Sequence, residues 1–336
     1  MIVICNQLDK KNISKIKEEL KLQHINFTFV ILRNKVVFII NNTLNEQITA
    51  KIIKISDEVQ ILSLKRKYKL SNSELFNNKP IRFSTTTIDK QHFTIIAGPC
   101  TIEDDGSMEK TAEFLKNKGI NFLRGGAYKP RTSPYEFQGL GKKGLEIIKN
   151  TAKSNNMQIV TELMDIKNLD EIIKYTDIIQ IGARNMQNYP LLRELGKINK
   201  PVLLKRGMSA SINEFLLASD YILAGGNENV ILCERGIKTY ETKYRSTLDL
   251  TAVALIKQES HLPIFVDPSH AAGDRNLISD LAKASLAVGA DGLLMEVHSN
   301  PDCAICDGPQ SLTLSQFDTL HNELKVLAPF FNKELN

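Results

Sequence analysis

The 336-residue chain has little cysteine, no long apolar run and no low-complexity segment or internal repeat. Five cysteines, sparse and odd in number, do not make a disulfide framework, so reduced thiols in a cytoplasm are expected, with one or two of them doing chemistry. The longest apolar runs, VVFII and TIIAG, fall well short of the roughly 20 residues that a membrane span needs, so no membrane partner is expected. The opening MIVICNQLDKKN lacks a basic start, an apolar core and a small-residue cleavage site, so it does not read as a secretion leader. The net charge of +5 is mild and its surplus is concentrated in residues 1–70, ending in KRKYK at Lys65–Lys69. No aromatic-rich RNA motif or zinc-finger spacing accompanies that run. It therefore reads as a solvated linker, and no nucleic-acid partner is expected.

What is present comes in two patterns. In the first, MIVIC is strand-like and Asn12–Leu22 has helical spacing through Ile13, Ile16, Leu20 and Leu22. INFTFVIL and KVVFII are β-branched and aromatic, joined by Arg33-Asn34 as a tight hairpin requires. Leu44–Ile55 is a second helix candidate and EVQILSL closes as a strand. The order βαββαβ is the ferredoxin-like split motif. Residues 70–91 are polar and read as a linker or a lid over a barrel bottom, with a short strand at Ile81–Ser84.

From Phe93 the pattern changes. Apolar β-rich runs, from FTIIAG to GLLMEV, alternate with amphipathic helical stretches, from Met108–Lys118 to Leu312–Leu327. Eight βα units in about 240 residues match a (β/α)8 TIM barrel. An open doubly wound sheet is the alternative, but its Gly-rich dinucleotide fingerprint is missing. The expected fold is therefore α/β, with a small βαββαβ domain (residues 1–66), a linker (67–91) and a (β/α)8 barrel (92–336).

The C-terminal ends of the eight predicted strands carry polar groups, and in a barrel these ends surround one mouth, where active sites form. They bear Cys100, Arg124, Glu162, Ala183-Arg184, Lys205, Glu234-Arg235, His270 and Glu296 in turn. Arg124, Arg184, Lys205 and Arg235 converge there, with Lys129 and Arg131 just above. Acids such as Glu162 and Glu234 cannot pair all six, and unpaired buried cations are costly, so the mouth calls for anions. Forked guanidinium donors suit phosphates and carboxylates. A substrate with both groups fits, as do two phosphorylated substrates. Cys100, His270 and Glu296 end the first, seventh and eighth strands, and Asp307 in the following loop CDGPQ can reach the same point. One sulfur, one nitrogen and two oxygens suit a divalent transition ion such as Mn2+, Fe2+, Co2+ or Zn2+. Cys303 and Cys306 form a lone CxxC, weak by itself as a zinc or redox signal. The position of Cys306 beside Asp307 raises the expectation that oxidation links one of the pair to Cys100.

In order, GPC at 98–100, RGGAYKPRTSPY at 124–135, QIGARNMQN at 180–188, LLKRGM at 203–208, CERG at 233–236, DPSHAAG at 267–273, EVH at 296–298 and DGPQ at 307–310 resemble the metal-dependent 3-deoxy-D-arabino-heptulosonate 7-phosphate (DAHP) synthases of type I-beta. The resemblance implies condensation of phosphoenolpyruvate with erythrose 4-phosphate, opening the shikimate pathway. It implies Cys100, His270, Glu296 and Asp307 as metal ligands. Arg124, Lys129, Arg184, Lys205 and Arg235 would form the phosphoenolpyruvate site, Arg131 and Thr132 the erythrose 4-phosphate contacts, and Ala183 a further substrate contact. Lys129, Glu162 and His270 are the candidate catalytic residues, with Glu162 activating water and Lys129 supplying a proton. The nearest rival, 3-deoxy-D-manno-octulosonate 8-phosphate synthase, takes arabinose 5-phosphate on the same barrel, and the segment KPRTS favours the four-carbon sugar. The N-terminal unit resembles a regulatory domain with an aromatic amino acid, tyrosine or phenylalanine, as effector; a plain oligomerisation element is the alternative. A homotetramer or homodimer is expected.

Overall fold

The computed structural model describes residues 1–5 and 9–335. The chain starts with strand β1 (Ile2–Cys5), helix α1 (Lys10–Leu22), strands β2 (Phe27–Leu32) and β3 (Lys35–Ile40), helix α2 (Glu46–Ile53) and strand β4 (Val59–Leu62). The strands form an antiparallel sheet in the order β2-β3-β1-β4. The β2–β3 turn holds Arg33 at φ 51° and Asn34 at φ 61°, the paired positive values of a turn whose twist matches its strands. Alternation along the strands divides the side chains between two faces. Val3, Val36 and Phe38 pack with Ile16 and Leu20 of α1 and Ile48 and Ile52 of α2. Ile2, Ile4, Val30, Leu32 and Val37 face the other way and merge with the core of the larger domain.

The basic run that reads as a solvated linker is instead a docked strap. Tyr68 is buried and its hydroxyl donates to Glu259, while Arg66 pairs with the same carboxylate at 2.9 Å. The Asp220 carboxylate accepts from the backbone N–H groups of Lys69, Leu70 and Ser71 at 2.6, 3.1 and 2.8 Å. The charges flank apolar side chains that alternate inward, and burying Tyr68 and Leu70 outweighs the solvation of the run. Next, β5 (Ile81–Arg82) pairs with β6 (Thr87–Ile88) in a small hairpin. Its Ile81 and Ile88, with Phe83, pack on the barrel interior at Ile96, Phe122, Ile178 and Leu203 and plug its floor.

Eight parallel strands follow: β7 (His92–Gly98), β8 (Phe122–Arg124), β9 (Gln158–Glu162), β10 (Ile178–Ile181), β11 (Val202–Lys205), β12 (Val230–Glu234), β13 (Ile264–Val266) and β14 (Gly292–Glu296). The barrel closes where β14 pairs with β7, from Gly292 opposite Thr94 to Glu296 opposite Gly98. Gly292 is needed at that seam, because a Cβ there would lie 2.2 Å from the Thr94 carbonyl oxygen. Helices α3 (Asp105–Asn117), α4 (Lys142–Ser154), α5 (Leu169–Tyr175), α6 (Tyr189–Gly196), α7 (Ile212–Ala224), α8 (Leu250–Glu259), α10 (Ile278–Ala287) and α11 (Leu314–Leu327) surround it, and a short extra helix, α9 (Pro268–Ala272), opens directly off β13. A final strand, β15 (Glu334–Leu335), lies beside the start of β7. The architecture is the expected one: a TIM barrel behind a small antiparallel sheet with two helices.

Candidate active site

The barrel strands are mainly buried and apolar, and the polar side chains at their C-terminal ends and in the turns that follow converge. The deepest group is formed by Cys100, Glu296 and Asp307, which offer a sulfur and two carboxylate oxygens within 4.8 Å of one another, close enough to hold one metal ion. His270 is adjacent, with Nε2 3.4 Å from Glu296 Oε1. Its orientation is set by Asp267, which caps α9 by accepting from the His270 N–H at 2.9 Å and lies 2.8 Å from Nδ1. Nδ1 makes no aligned hydrogen bond there, but its closeness to the carboxylate leaves Nε2 for the donor group. Asp267 also receives Lys205 Nζ at 2.5 Å.

The donor set attracts positive charge. Lys129 Nζ lies 2.5 Å from Cys100 Sγ and 2.8 Å from Asp307 Oδ2, an ammonium in the place where the anionic donors require a cation. Arg124 Nη1 donates to the Pro99 carbonyl at 2.7 Å and to Glu296 Oε1 at 3.1 Å, while its buried Nε has no partner. Burial pushes the Cys100 thiol well up. Burial pulls on Asp307 in the same direction, but Lys129 and the Cys100 hydrogen bond win and hold its carboxyl well below the usual range. Lys129 resists the downward pull of burial because Cys100, Glu296 and Asp307 surround it, and it is held protonated. A thiol that ionises only beside a cation, two carboxylates and an oriented imidazole fit a divalent transition ion.

Above the donors opens a cavity of about 300 Å³. Of the residues singled out from sequence, Lys129, Arg131, Thr132, Glu162, Ala183, Arg184, Lys205, Arg235, His270 and Asp307 line it, while Cys100, Arg124 and Glu296 lie buried outside its lining. The cavity is short of anions. Lys205 has Asp267, but Arg235 is buried and bonds only to neutral oxygens: the His270 carbonyl at 3.0 Å, and the Gly236 carbonyl and Ser246 hydroxyl at 3.3 Å. Burial pulls the Arg235 guanidinium down from its ordinary value. Neither Arg184 nor Arg235 forms an ion pair among the described residues. Arg131 pairs with Glu136 at 2.9 Å on the rim. Glu162 accepts from Gln180 Nε2 at 2.9 Å and faces the cavity.

Sequence reasoning missed four features of this region. Asp267 stands in the DPSHAAG motif without an assigned role, and helix α9 was not anticipated. Gln310 was quoted in DGPQ without a role, yet its amide donates to Glu296 Oε2 at 2.6 Å. Arg245 lies eleven residues past the end of β12, beyond any strand-end pattern, and still lines the cavity. Of the CxxC pair, Cys303 is exposed, whereas Cys306 is buried and meets both Arg131 and Cys100. The hydrogen bond with Cys100 brings the Cys306 thiol down to about 7.

The model of the DAHP synthetase I family matches residues 70–330. Over 277 residues, 82% of each chain, this chain is 49% identical to a phospho-2-dehydro-3-deoxyheptonate aldolase of Thermotoga maritima. The crystal structure of the Thermotoga maritima DAHP synthase superposes with a TM-score of 0.81 at 42% identity, covering 100% of this chain and 99% of that one. A 2-dehydro-3-deoxyphosphooctonate aldolase of Magnetococcus marinus is more distant, 30% identical over 72% of this chain and 92% of its own length.

Proposed function

The chain belongs to the DAHP synthetase I family, and from that premise we propose how its barrel mouth carries out the reaction. The activity is that of a DAHP synthase: phosphoenolpyruvate, erythrose 4-phosphate and water give 3-deoxy-D-arabino-heptulosonate 7-phosphate and phosphate. The observation that carries the residue assignment is a cavity with more cations than acids, opening directly onto a Cys–Glu–Asp donor group.

In this reading Arg184, Lys205 and Arg235, with the backbone at Ala183, hold phosphoenolpyruvate by its phosphate and carboxylate. The buried Arg235, without an acidic partner, is the strongest anchor because an anion relieves its desolvation. Arg124 completes that pocket from below through its unpartnered Nε. Arg131 and Thr132 on the rim take the phosphate of erythrose 4-phosphate. Clamping both anionic ends presents C3 of phosphoenolpyruvate to the aldehyde carbon, and such positioning can supply much of the barrier reduction. Cys100, His270, Glu296 and Asp307 would hold the divalent ion, one of Mn2+, Fe2+, Co2+ or Zn2+. The chemistry such an ion would supply there is Lewis acidity toward the aldehyde oxygen. As the C–C bond forms, Lys129, held as an ammonium, donates a proton to that oxygen. Positive character appears at C2 of phosphoenolpyruvate, water adds there with Glu162 taking its proton, and phosphate leaves by C–O cleavage. His270 is kept in one orientation throughout by Asp267.

The test is turnover of phosphoenolpyruvate with erythrose 4-phosphate or arabinose 5-phosphate, with and without a chelator. Turnover with the four-carbon sugar alone, lost on chelation and restored by a divalent transition ion, is expected. Full activity of a metal-free sample refutes the residue scheme. The small sheet is proposed as an effector domain for tyrosine or phenylalanine in a homotetramer or homodimer. Its docking on loops that precede β12 and β13, away from the mouth, supports a role separate from chemistry. Absence of inhibition by either amino acid on the full chain removes that part. A cytoplasmic enzyme is proposed from its biosynthetic activity and from the lack of any disulfide among the described residues.

A further inference from the structure

The long loop after β12 enters the site through a side chain that the reaction scheme leaves unused. The Arg245 N–H donates to the Ala272 carbonyl at 3.2 Å, on the helix that carries His270. Its stem then crosses Gly273. That glycine sits at φ 72°, and a Cβ there would come within 2.7 Å of Arg245 Cβ, so the bare backbone is what lets the arginine pass. Beyond it, Nη1 donates to Gln310 Oε1 and lies 3.7 Å from Asp307 Oδ1. Gln310 is 2% exposed and passes its own amide hydrogen to Glu296 Oε2 at 2.6 Å. One residue therefore touches the helix carrying one proposed donor, faces a second, and reaches a third through a single buried amide.

We infer that Arg245 is a positioning residue for the metal centre, acting through Gln310 on Glu296 and directly on Asp307. The chemistry of the amide gives the reason. A glutamine side chain has one accepting and one donating end. The guanidinium can bind only the oxygen, so it obliges the NH2 end to face Glu296. Without it the amide is free to turn its oxygen to the carboxylate, where two acceptors repel. Glu296 is otherwise held by Arg124 on Oε1, so Gln310 on Oε2 fixes the rotation of the carboxylate and hence the lone pair aimed between Cys100 and Asp307. Partners that orient a ligand in this way typically change metal affinity by about 10–100-fold when removed.

The inference rests on the proposed ion site, and the test separates the two. Full-length protein stripped with a chelator is titrated with Co2+, and the thiolate-to-cobalt absorption band from Cys100 is followed. Wild type is expected to show the band. Arg245→Ala should bind about 10–100-fold more weakly, Gln310→Met should lose a similar factor, and the double variant should lose little more than Arg245→Ala alone, because that change has already broken the relay. Arg245→Lys, which retains a donor for Gln310, should recover part of the loss. If wild type gives no band, the ion site fails and takes this inference with it. If wild type gives the band and Arg245→Ala binds Co2+ equally well, this inference alone falls. A rise in KM for a sugar phosphate at unchanged Co2+ affinity likewise overturns it, in favour of a plain substrate contact. Should Arg245→Ala not fold, Gln310→Met decides, and undiminished affinity in that variant overturns the relay.

Discussion

The two ends of this barrel both bury charge, and they do so on opposite terms. At the floor, Arg33 reaches from the small sheet to Glu228, to the Asn77 carbonyl and to His261 Nδ1 at 3.1 Å. Nearby, Asp220 accepts three backbone N–H groups, and Lys79 closes on Glu228 at 2.6 Å. Charge there is matched partner for partner, and the remaining floor is apolar. At the mouth, Arg235 is buried without an acid, Arg124 Nε has no partner, and an ammonium is wedged against a thiol. A fold that matches its charges at one end, and at the other pairs Lys129, Arg124 and Lys205 but leaves Arg184 and Arg235 without an acid, is holding those two cations for a ligand. Such sites are retained at some cost in stability.

The largest effect that tests this contrast is the loss of the donor sulfur. Cys100→Ala should lose Co2+ binding and reduce turnover by more than the roughly 100-fold seen for outer-shell partners, while thermal unfolding of the metal-free protein changes little. Retained turnover would show that the mouth does not depend on its thiol. Next in size is Arg235→Met. A charge-assisted hydrogen bond contributes about 1.5–3 kcal/mol, so KM for phosphoenolpyruvate should rise about 10–100-fold. Because an uncompensated buried cation is replaced by an apolar chain, stability should hold or increase by about 1 kcal/mol. A marked destabilisation would mean that Arg235 is structurally paired after all, and the contrast would be lost. The matching experiment at the floor has the opposite sign. Arg33→Ala leaves the Asn77 carbonyl and His261 Nδ1 without their donor, while Glu228 keeps Lys79, and it should cost about 1–3 kcal/mol of stability, with kcat and both KM values unchanged.

The same contrast explains what was legible in the sequence. Barrel strands are apolar runs ending in a polar residue, and that signal survives without any knowledge of packing. Hence the alternating strand and helix units from Phe93 onward fold as the pattern predicts, and the Arg33-Asn34 turn was visible from its residue types. Helix α9 is only Pro268–Ala272, too short to show a period, although it carries His270. Arg245 and Gln310 act from loops, where position along the chain says nothing about which strand end they approach. The strap at Lys65–Lys69 misled for a related reason: its charges are conspicuous, while the single buried tyrosine that docks it is not.

The smallest predicted effect lies at the floor and depends on pH. His261 is 2% exposed; its Nε2 lies 2.9 Å from the Leu70 carbonyl and its Nδ1 faces the Arg33 guanidinium. The first contact requires a hydrogen on Nε2, so Nδ1 is the acceptor and the ring is neutral. Burial first, and then Arg33, lower its pKa from an ordinary 6.5 to about 4. Between those values the unfolded chain takes up a proton that the folded ring refuses, so stability is complete above pH 6.5 and declines as the pH falls towards 4. By pH 6 the loss should be about 1 kcal/mol relative to pH 8. His261→Gln keeps a donor for Leu70 and an acceptor for Arg33 but cannot titrate, so the two denaturation curves should diverge as the pH is lowered. Parallel curves from pH 8 to 5 would mean that the ring already exchanges its proton in the folded state, and that the floor is less tightly matched than its contacts imply.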